Sequence, residues 1–191
     1  MRNLGHRLGA SGTKLENTIQ GLNESLKLVS HSNFRYWEFD VRESADGVLF
    51  VFHDDHIRLK GKYIETRLLG MNEIILAGEE IHISIPTLDQ VISELEQREE
   101  PVMVEIKELI SDKCRAEIIE SVAGRKNWRL MATPERFERS YPADGRNRWR
   151  EMANAKKVKL VRVGRHRVQL FRFSNHALGR LYLYPKWLFG L

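Results

Sequence analysis

A set of histidines, carboxylates and cations is spaced along the first half of the chain in a way that could serve one reaction. Three carboxylates can hold one divalent cation, two histidines can accept and return a proton, and a lysine with an arginine can hold a phosphate group. Each member lies at or near the end of an apolar, strand-like run, and the members are His6, Arg7, Glu38, Asp40, His53, Glu105 and Lys107. This inventory favours metal-assisted cleavage of a phosphodiester.

Glu38 and Asp40 are two residues apart on a predicted strand, so their side chains point to the same face. Two carboxylates that share a site repel each other unless a cation lies between them. Hard cations prefer oxygen ligands, so the pair predicts a site for Mg²⁺ or Ca²⁺. The alternative is an exposed strand face, which the apolar neighbours Trp37, Phe39 and Val41 disfavour.

Glu105 and Lys107 repeat this spacing on a second strand, whose other residues are apolar from Val102 to Ile106. A strand of that composition is expected to be buried, and a buried charge needs a partner or a metal. An internal Glu–Lys ion pair is the alternative to a functional role for these two residues.

The two histidines of the set stand where strands open into loops. His53 follows the apolar run 48–52, a position suited to acid/base chemistry, and the alternative is a structural histidine. His6 precedes a glycine-rich loop, and its neighbour Arg7 could bind a phosphate as a planar fork. Asn17 either caps the first helix or reaches the site from the same loop. The other histidines lack such surroundings and are interpreted as structural or surface residues: His31, His56, His82, His166 and His176.

Helices alternate with strands over the first two thirds of the chain, which predicts an α/β fold with a parallel sheet or barrel. Strands are predicted at residues 3–8, 34–41, 48–52, 102–106, 128–132, 158–163 and 168–173, with a tight turn at Asp46-Gly47. Helices are predicted at 15–29, 87–98, 112–122, from 133 onward and at 148–156. Residues 57–83 are expected to contain a hairpin around 60–62 and irregular structure, and a last hairpin is expected across 164–166.

The composition fits one domain over residues 1–191, with a shift near residue 125. The chain is 42% hydrophobic and 30% charged, and no apolar run approaches the roughly 20 residues needed to span a bilayer. The first residues lack the apolar region of a signal peptide. The single cysteine, Cys114, excludes an internal disulfide and favours a cytoplasmic location.

Charge is distributed unevenly between the two parts of the chain. Residues 125–191 contain 17 Lys and Arg but 4 Asp and Glu, whereas residues 1–124 contain 14 and 22. The basic part, which ends in an aromatic tail at 181–191, could contact an anionic partner such as a membrane surface or a phospholipid headgroup. The tail would suit such a peripheral contact, although packing in the core is the preferred interpretation of the tail itself. A solvated surface, a homo-oligomer contact and packing of the tail in the core remain open, and no nucleic-acid partner is expected.

Taken together, the motifs resemble the glycerophosphodiester phosphodiesterase family. The matching stretches lie within residues 4–110: Gly-His-Arg-Leu-Gly-Ala-Ser-Gly (5–12), Glu-Asn-Thr (16–18), Glu-Phe-Asp-Val (38–41), Asp-Gly-Val-Leu-Phe-Val-Phe-His-Asp (46–54), Ile-Pro-Thr-Leu (85–88) and Val-Glu-Ile-Lys (104–107). The resemblance implies a TIM-type (β/α) barrel with its active site at the carboxyl ends of the strands. It also implies a phosphoric diester hydrolase that forms glycerol 3-phosphate and an alcohol with one divalent cation.

The resemblance implies a role for each residue of the set. His6 and His53 would be the acid/base pair, and the metal ligands would be Glu38, Asp40 and Glu105. Arg7, Lys107 and Asn17 would contact the substrate phosphate. Two other functions remain open: a phospholipase D-like enzyme acting on lysophospholipids, and a non-catalytic protein of the same fold that binds phosphate or anionic lipid.

The chain departs from the family pattern at three places. Leu8 interrupts the usual His-Arg-Gly, Leu15 stands where proline is frequent, and residues after 110 lack the later motifs. TIM barrels typically need about 250 residues, whereas this chain has 191. The expected barrel is therefore shortened or irregular in its second half, either open or completed by a partner chain.

Overall fold

A computed structural model describes residues 3–163 and 167–173 of the chain. Among these residues, no helix is both long and apolar enough to cross a membrane. The predicted hairpin loop at 164–166 and the aromatic tail at 181–191 lie outside the described residues.

A five-stranded sheet forms the centre of the fold, in the order β2–β1–β5–β6–β7. Strands β1 (Trp37–Glu43), β5 (Val102–Glu108), β6 (Trp128–Ala132) and β7 (Leu160–Arg162) are parallel, and β2 (Leu49–Val51) returns antiparallel to β1. The return follows the predicted turn at Asp46-Gly47, where Gly47 has the positive φ of 72° that such a turn requires. The predicted α/β class with a parallel sheet is confirmed.

The sheet does not close into a barrel within the described residues. After β7 the chain turns back, so that Gln169 pairs antiparallel with Val161 and the Arg162 amide donates to the Val168 carbonyl at 2.7 Å. In a βα barrel the next neighbour of β7 would be another parallel strand. Here the returning chain satisfies part of that edge instead.

Helices follow the strands and cover one face of the sheet. Their bounds are α1 Ile19–Ser25 (continued by a 3₁₀ turn, Leu26–Ser30), α2 Met71–Glu80, α3 Leu88–Leu95, α4 Asp112–Val122, α5 Pro134–Ser140, α6 Arg146–Ala155 and α7 Leu170–Phe173. Thr87, Ser111 and Thr133 cap α3, α4 and α5 with their hydroxyl groups, as the sequence predicts. A small hairpin, β3 (His56–Leu59) with β4 (Lys62–Glu65), forms around the predicted turn and leads into a 3₁₀ turn at Thr66–Leu68.

The alternation of side chains along the parallel strands separates the core from the site. Phe39, Val41, Val104, Ile106 and Leu130 are fully buried in one large hydrophobic cluster beneath the helices. The alternate positions of the same strands therefore face away from this cluster. They carry Glu38, Asp40 and Glu105.

Three elements differ from the sequence prediction. Residues 3–8 form turns rather than a strand, because Arg7 and Leu8 have φ values of 53° and 56° that no strand accommodates. A helix, α2, occupies part of 57–83 that was expected to be irregular, and it buries Met71, Ile74 and Ala77 at helical spacing. The strand predicted at 168–173 is wrong from residue 170, where α7 begins.

Candidate active site

Strand register brings the three predicted metal ligands together. Asp40 of β1 is the direct register partner of Glu105 on β5, and Glu38 lies two residues earlier on the same face of β1. One oxygen from each carboxylate lies within 4.8 Å of the others, and all three residues are buried. Neighbouring parallel strands therefore form the cluster, although 65 residues of chain separate two of its members.

The charge of this cluster is incompletely balanced. Burial, reinforced by the Asp40 carboxylate, raises the pKa of Glu38 well above its usual value. The Glu38 Oε1 atom is buried and has no hydrogen-bond partner among the described residues. A buried acceptor without a donor is costly, so three close carboxylates with a free oxygen fit the coordination chemistry of a hard divalent cation.

Lys107 supplies a positive charge at the edge of the cluster. Its Nζ atom lies 2.7 Å from Glu105 Oε1 and 3.0 Å from Asp40 Oδ1. Burial alone would lower the pKa of Lys107, but the carboxylates of Asp40 and Glu105 raise it. The internal Glu–Lys ion pair is thus present, and its single ammonium group balances the charge of only one of the three carboxylates.

His6 reaches the cluster from a tightly folded loop. Its Nε2 atom lies 3.6 Å from Glu38 Oε2, and its Nδ1 atom lies 2.9 Å from Ser11 Oγ. Gly5 leaves no room for a side chain, because an added Cβ would meet the Tyr36 carbonyl oxygen at 2.1 Å. The loop therefore passes close against the start of β1, and His6 follows immediately.

Leu8 explains how this loop tolerates the unusual His-Arg-Leu-Gly sequence. Its backbone adopts a left-handed conformation that normally favours glycine, and its side chain is fully buried in the main core. Its amide also donates to the Glu38 carbonyl at 2.8 Å. Burial of the leucine side chain offsets the backbone strain, so the loop keeps its close contact with β1.

Arg7 binds Glu38 through its backbone amide, whereas Asn17 binds Asp40 through its side chain. The Arg7 amide donates to Glu38 Oε2 at 2.8 Å, while its guanidinium lies 3.7 Å from Asp40 and pairs with Glu16 at 2.6 Å. The Asn17 side chain donates to Asp40 Oδ2 at 2.8 Å and accepts from the Asp40 amide at 3.2 Å. Asn17 therefore orients a carboxylate, in addition to any contact with a substrate.

His53 returns to the cluster because β2 is antiparallel to β1. The amide of Phe52 donates to the Asp40 carbonyl at 3.0 Å, which places the next residue beside the carboxylates. The His53 ring is one third exposed, and its Nδ1 atom lies 2.6 Å from Asp54 Oδ1. All eight residues predicted for the site thus meet at one end of the sheet.

Sequence reasoning missed three residues beside the site. Arg42 lies on β1 two residues after Asp40, and this spacing alone places it on the same face. Asp55 and Arg136 also contact this region. No local sequence signal distinguishes Asp55 and Arg136, because the contact between them joins distant parts of the chain.

The chain belongs to the glycerophosphoryl diester phosphodiesterase family, whose model matches residues 6–170. The resemblance inferred from residues 4–110 is therefore confirmed and extends well beyond them. No curated protein matches the chain.

Solved structures share the fold. A glycerophosphodiester phosphodiesterase from Agrobacterium tumefaciens is 24% identical with a TM-score of 0.52, and the match covers 76% of this chain and 59% of that one. The glycerophosphoryl diester phosphodiesterase domain of a Mycobacterium tuberculosis protein is 14% identical with the same TM-score, 0.52, covering 81% of this chain and 57% of that domain. This shared fold confirms the predicted fold class, a TIM-type (β/α) barrel that is irregular in its second half, and the sheet of this chain stays open within the described residues. The chain spans about three fifths of the length of these relatives.

Proposed function

We propose that this protein is a divalent-metal-dependent phosphodiesterase that hydrolyses glycerophosphodiesters to glycerol 3-phosphate and an alcohol. The observation that carries the proposal is the cluster of Glu38, Asp40 and Glu105, with His6 on one side and His53 on the other. Family membership supports the same substrate class.

The three carboxylates would hold the cation, which we propose to be Mg²⁺ or Ca²⁺. When bound, the cation would neutralise charge on the phosphoryl oxygens of the substrate. Lys107 and Arg7 both lie beside Asp40 of the cluster, and we propose that they contact the same phosphate. Asn17 keeps Asp40 oriented through its pair of hydrogen bonds.

The two histidines would act as acid and base in turn. One imidazole removes the proton from the neighbouring glycerol hydroxyl as its oxygen attacks phosphorus. The other donates a proton to the alcohol oxygen as the P–O bond to the leaving group breaks. Water then opens the cyclic phosphate with the proton transfers reversed, which yields glycerol 3-phosphate.

The test is release of glycerol 3-phosphate from glycerophosphocholine and glycerophosphoethanolamine in Mg²⁺, Ca²⁺ or EDTA. Wild type is compared with His53→Ala, and His56→Ala is the matched control because His56 is an exposed histidine three residues away. We expect metal-dependent release that falls at least about 100-fold in His53→Ala and is unchanged in His56→Ala.

Other outcomes would identify the remaining alternatives. Turnover of lysophosphatidylcholine without turnover of glycerophosphocholine would indicate the phospholipase D-like activity. Binding of glycerol 3-phosphate without any turnover, unaffected by His53→Ala, would indicate a non-catalytic protein and overturn the proposal.

We also propose that the chain forms a single domain, because the main core includes residues from Leu8 to Phe171.

We propose further that the basic part of the chain makes a peripheral contact with anionic membranes. A 340 Å³ cavity between the ends of α4 and α6 supports the membrane contact, because its lining contains six cations and no carboxylate: Arg125, Lys126, Arg129, Lys156, Lys157 and Lys159. Only two of these cations form ion pairs with described residues, to Glu96 and Glu120.

Co-sedimentation with vesicles tests this contact. Each lysine or arginine near an anionic surface contributes about 1 kcal/mol, so Lys126→Glu with Lys157→Glu should reduce binding to phosphatidylserine vesicles by more than 10-fold. Lys62→Glu, at the exposed tip of the β3–β4 hairpin, is the control. The proposal would be contradicted if wild type bound phosphatidylcholine and phosphatidylserine vesicles equally. It would also be contradicted if the Lys126→Glu/Lys157→Glu variant bound phosphatidylserine vesicles as well as the Lys62→Glu control.

The cytoplasmic location and a homo-oligomeric state are proposals that cell fractionation and light scattering would test.

A further inference from the structure

Asp55 joins three elements around the loop that carries His53. The residue lies two positions after His53 and immediately before β3. Its carboxylate pairs with Arg42 of β1 through Oδ1 and with Arg136 of α5 through Oδ2, the latter at 2.9 Å. The hydrogen bonds from Arg136 and Arg42 hold the pKa of Asp55 far below its usual value.

Arg42 connects this carboxylate to His53 itself. Its side chain is 1% exposed, and its Nη2 atom donates both to the Asp55 carboxylate and to the His53 carbonyl, the latter at 2.7 Å. A buried guanidinium needs a counter-charge. Asp55 is the carboxylate that contacts Arg42 directly, whereas Glu108 Oε2 lies farther away, 3.7 Å from Arg42 Nη1. Arg42 therefore links the Asp55 carboxylate to the backbone of His53.

Arg136 ties the same loop to the strand that carries Lys107. It lies in the first turn of α5, which Thr133 caps, and its Nη1 atom donates to the Lys107 carbonyl at 3.4 Å. This arginine comes from the part of the chain beyond residue 110. The basic part of the chain thus contributes a side chain beside His53, the candidate acid/base residue.

The backbone of Asp55 adds a further attachment. Its carbonyl accepts from the Thr66 amide at 2.9 Å and from the Thr66 hydroxyl at 3.2 Å. The end of the β3–β4 hairpin is thereby fastened to the same residue. The stretch 53–55 is held by β1, by α5 and by the hairpin.

We propose that Asp55, Arg42 and Arg136 are positioning residues that hold His53 in place for proton transfer. The proposal rests on the proposed function, and it assigns the basic part of the chain, through Arg136, a role in the active site. A displacement of about 1 Å at a reacting group can cost about 100-fold in rate. Loss of the Asp55 bridge would act on the rate through such a displacement.

Kinetics of Asp55→Asn and Arg136→Gln test the positioning role, and Arg42 is left intact because its burial makes a folding failure the expected result of substitution. We expect kcat to fall 10- to 100-fold while KM changes less than about twofold. Arg139→Gln is the matched control, since Arg139 lies on the same helix with a half-exposed side chain that pairs with Glu135 at 2.9 Å and lies 3.9 Å from Glu108, outside the Asp55 bridge. Arg136→Lys should restore part of kcat because an ammonium can still reach Asp55.

Two kinetic results would overturn the proposal. If Arg136 contacted the substrate phosphate instead, KM would rise by about the same factor as kcat falls, and Asp55→Asn would not share the defect. If the bridge were irrelevant, both variants would match Arg139→Gln. The double variant Asp55→Asn/Arg136→Gln should be no slower than the worse single variant, because both substitutions break one bridge.

Amide hydrogen exchange over residues 52–56 separates a failure of this proposal from a failure of the proposed function. We expect faster exchange in both bridge variants than in wild type and Arg139→Gln. If wild type shows no turnover of any diester, the proposed function fails and exchange alone decides whether the bridge orders the loop. Unchanged exchange in Asp55→Asn and Arg136→Gln would refute the positioning role.

Discussion

Metal-dependent stability of the acidic cluster follows directly from its charges. Glu38, Asp40 and Glu105 lie within 4.8 Å of one another, and Lys107 balances only part of their charge. A ligand that binds only the folded state at 100 times its Kd stabilises that state by about 2.7 kcal/mol. For a chain of this size, that gain corresponds to a rise in Tm of about 5–10 °C.

Glu38→Gln separates the charge of the cluster from its shape. Glutamine keeps the size of the side chain and an oxygen that can accept from the Arg7 amide, a bond of 2.8 Å in the native protein. The substitution removes a buried carboxylate whose Oε1 atom has no hydrogen-bond partner among the described residues. We expect Tm in EDTA to equal or exceed that of wild type, while a 100-fold weaker Kd would reduce the metal-dependent gain to about 0.4 kcal/mol.

Thermal unfolding in EDTA, Mg²⁺ and Ca²⁺ at constant ionic strength measures both quantities. Glu43→Gln is the control, because Glu43 is also a buried carboxylate of β1 but binds the amides of Ile110 and Ser111 instead. Its Tm should fall, yet its metal-dependent gain should match that of wild type. The reasoning is refuted if Glu38→Gln retains the full metal-dependent gain, or if it lowers Tm in EDTA as Glu43→Gln does.

Four further predictions use other parts of the structure. Gly5→Ala should lower stability by about 3 kcal/mol in denaturant unfolding, because its Cβ would lie 2.1 Å from the Tyr36 carbonyl oxygen. Tyr141→Phe should raise stability by about 1 kcal/mol in the same assay, because the Tyr141 hydroxyl is buried without a partner among the described residues. Cys114 should resist thiol reagents at pH 8 and react only on unfolding, since burial raises the pKa of its thiol to about 11. The lowered pKa of Asp55 means that its pairing stabilises the fold above about pH 4 and is lost as pH falls towards the folded pKa. Wild type should therefore lose more stability between pH 5 and pH 3 than Asp55→Asn does, as measured by urea unfolding.

The parts of the fold that the sequence predicted well have strong local signals. The buried strand at 102–106 is a continuous apolar run, and Thr87 and Ser111 are capping residues placed at the start of amphipathic helices. Helix α2 was missed because its apolar residues at 74–77 are consecutive, so the helical spacing of the buried Met71, Ile74 and Ala77 is obscured by the exposed Ile75 and Leu76. The predicted strand at 3–8 was wrong because Arg7 and Leu8 adopt left-handed conformations that composition does not reveal.

The spacing of residue types by itself determined the candidate site, because strand alternation is a local property. Glu38 with Asp40, and Glu105 with Lys107, had to share a face on each strand. The proximity of these two pairs of side chains depended on the register of β1 with β5, which places Asp40 beside Glu105. That register is set by packing of the whole core.

Tertiary structure alone decided how the site is held. Leu8 keeps a left-handed backbone because its side chain is buried in the core, and Arg136 reaches Asp55 across 81 residues of chain. Neither contact has a local sequence signal, since each depends on where separate elements pack. The antiparallel return beside β7, where Gln169 pairs with Val161, agrees with the hairpin expected there, but packing decided that residues from Leu170 onward form a helix instead of a strand.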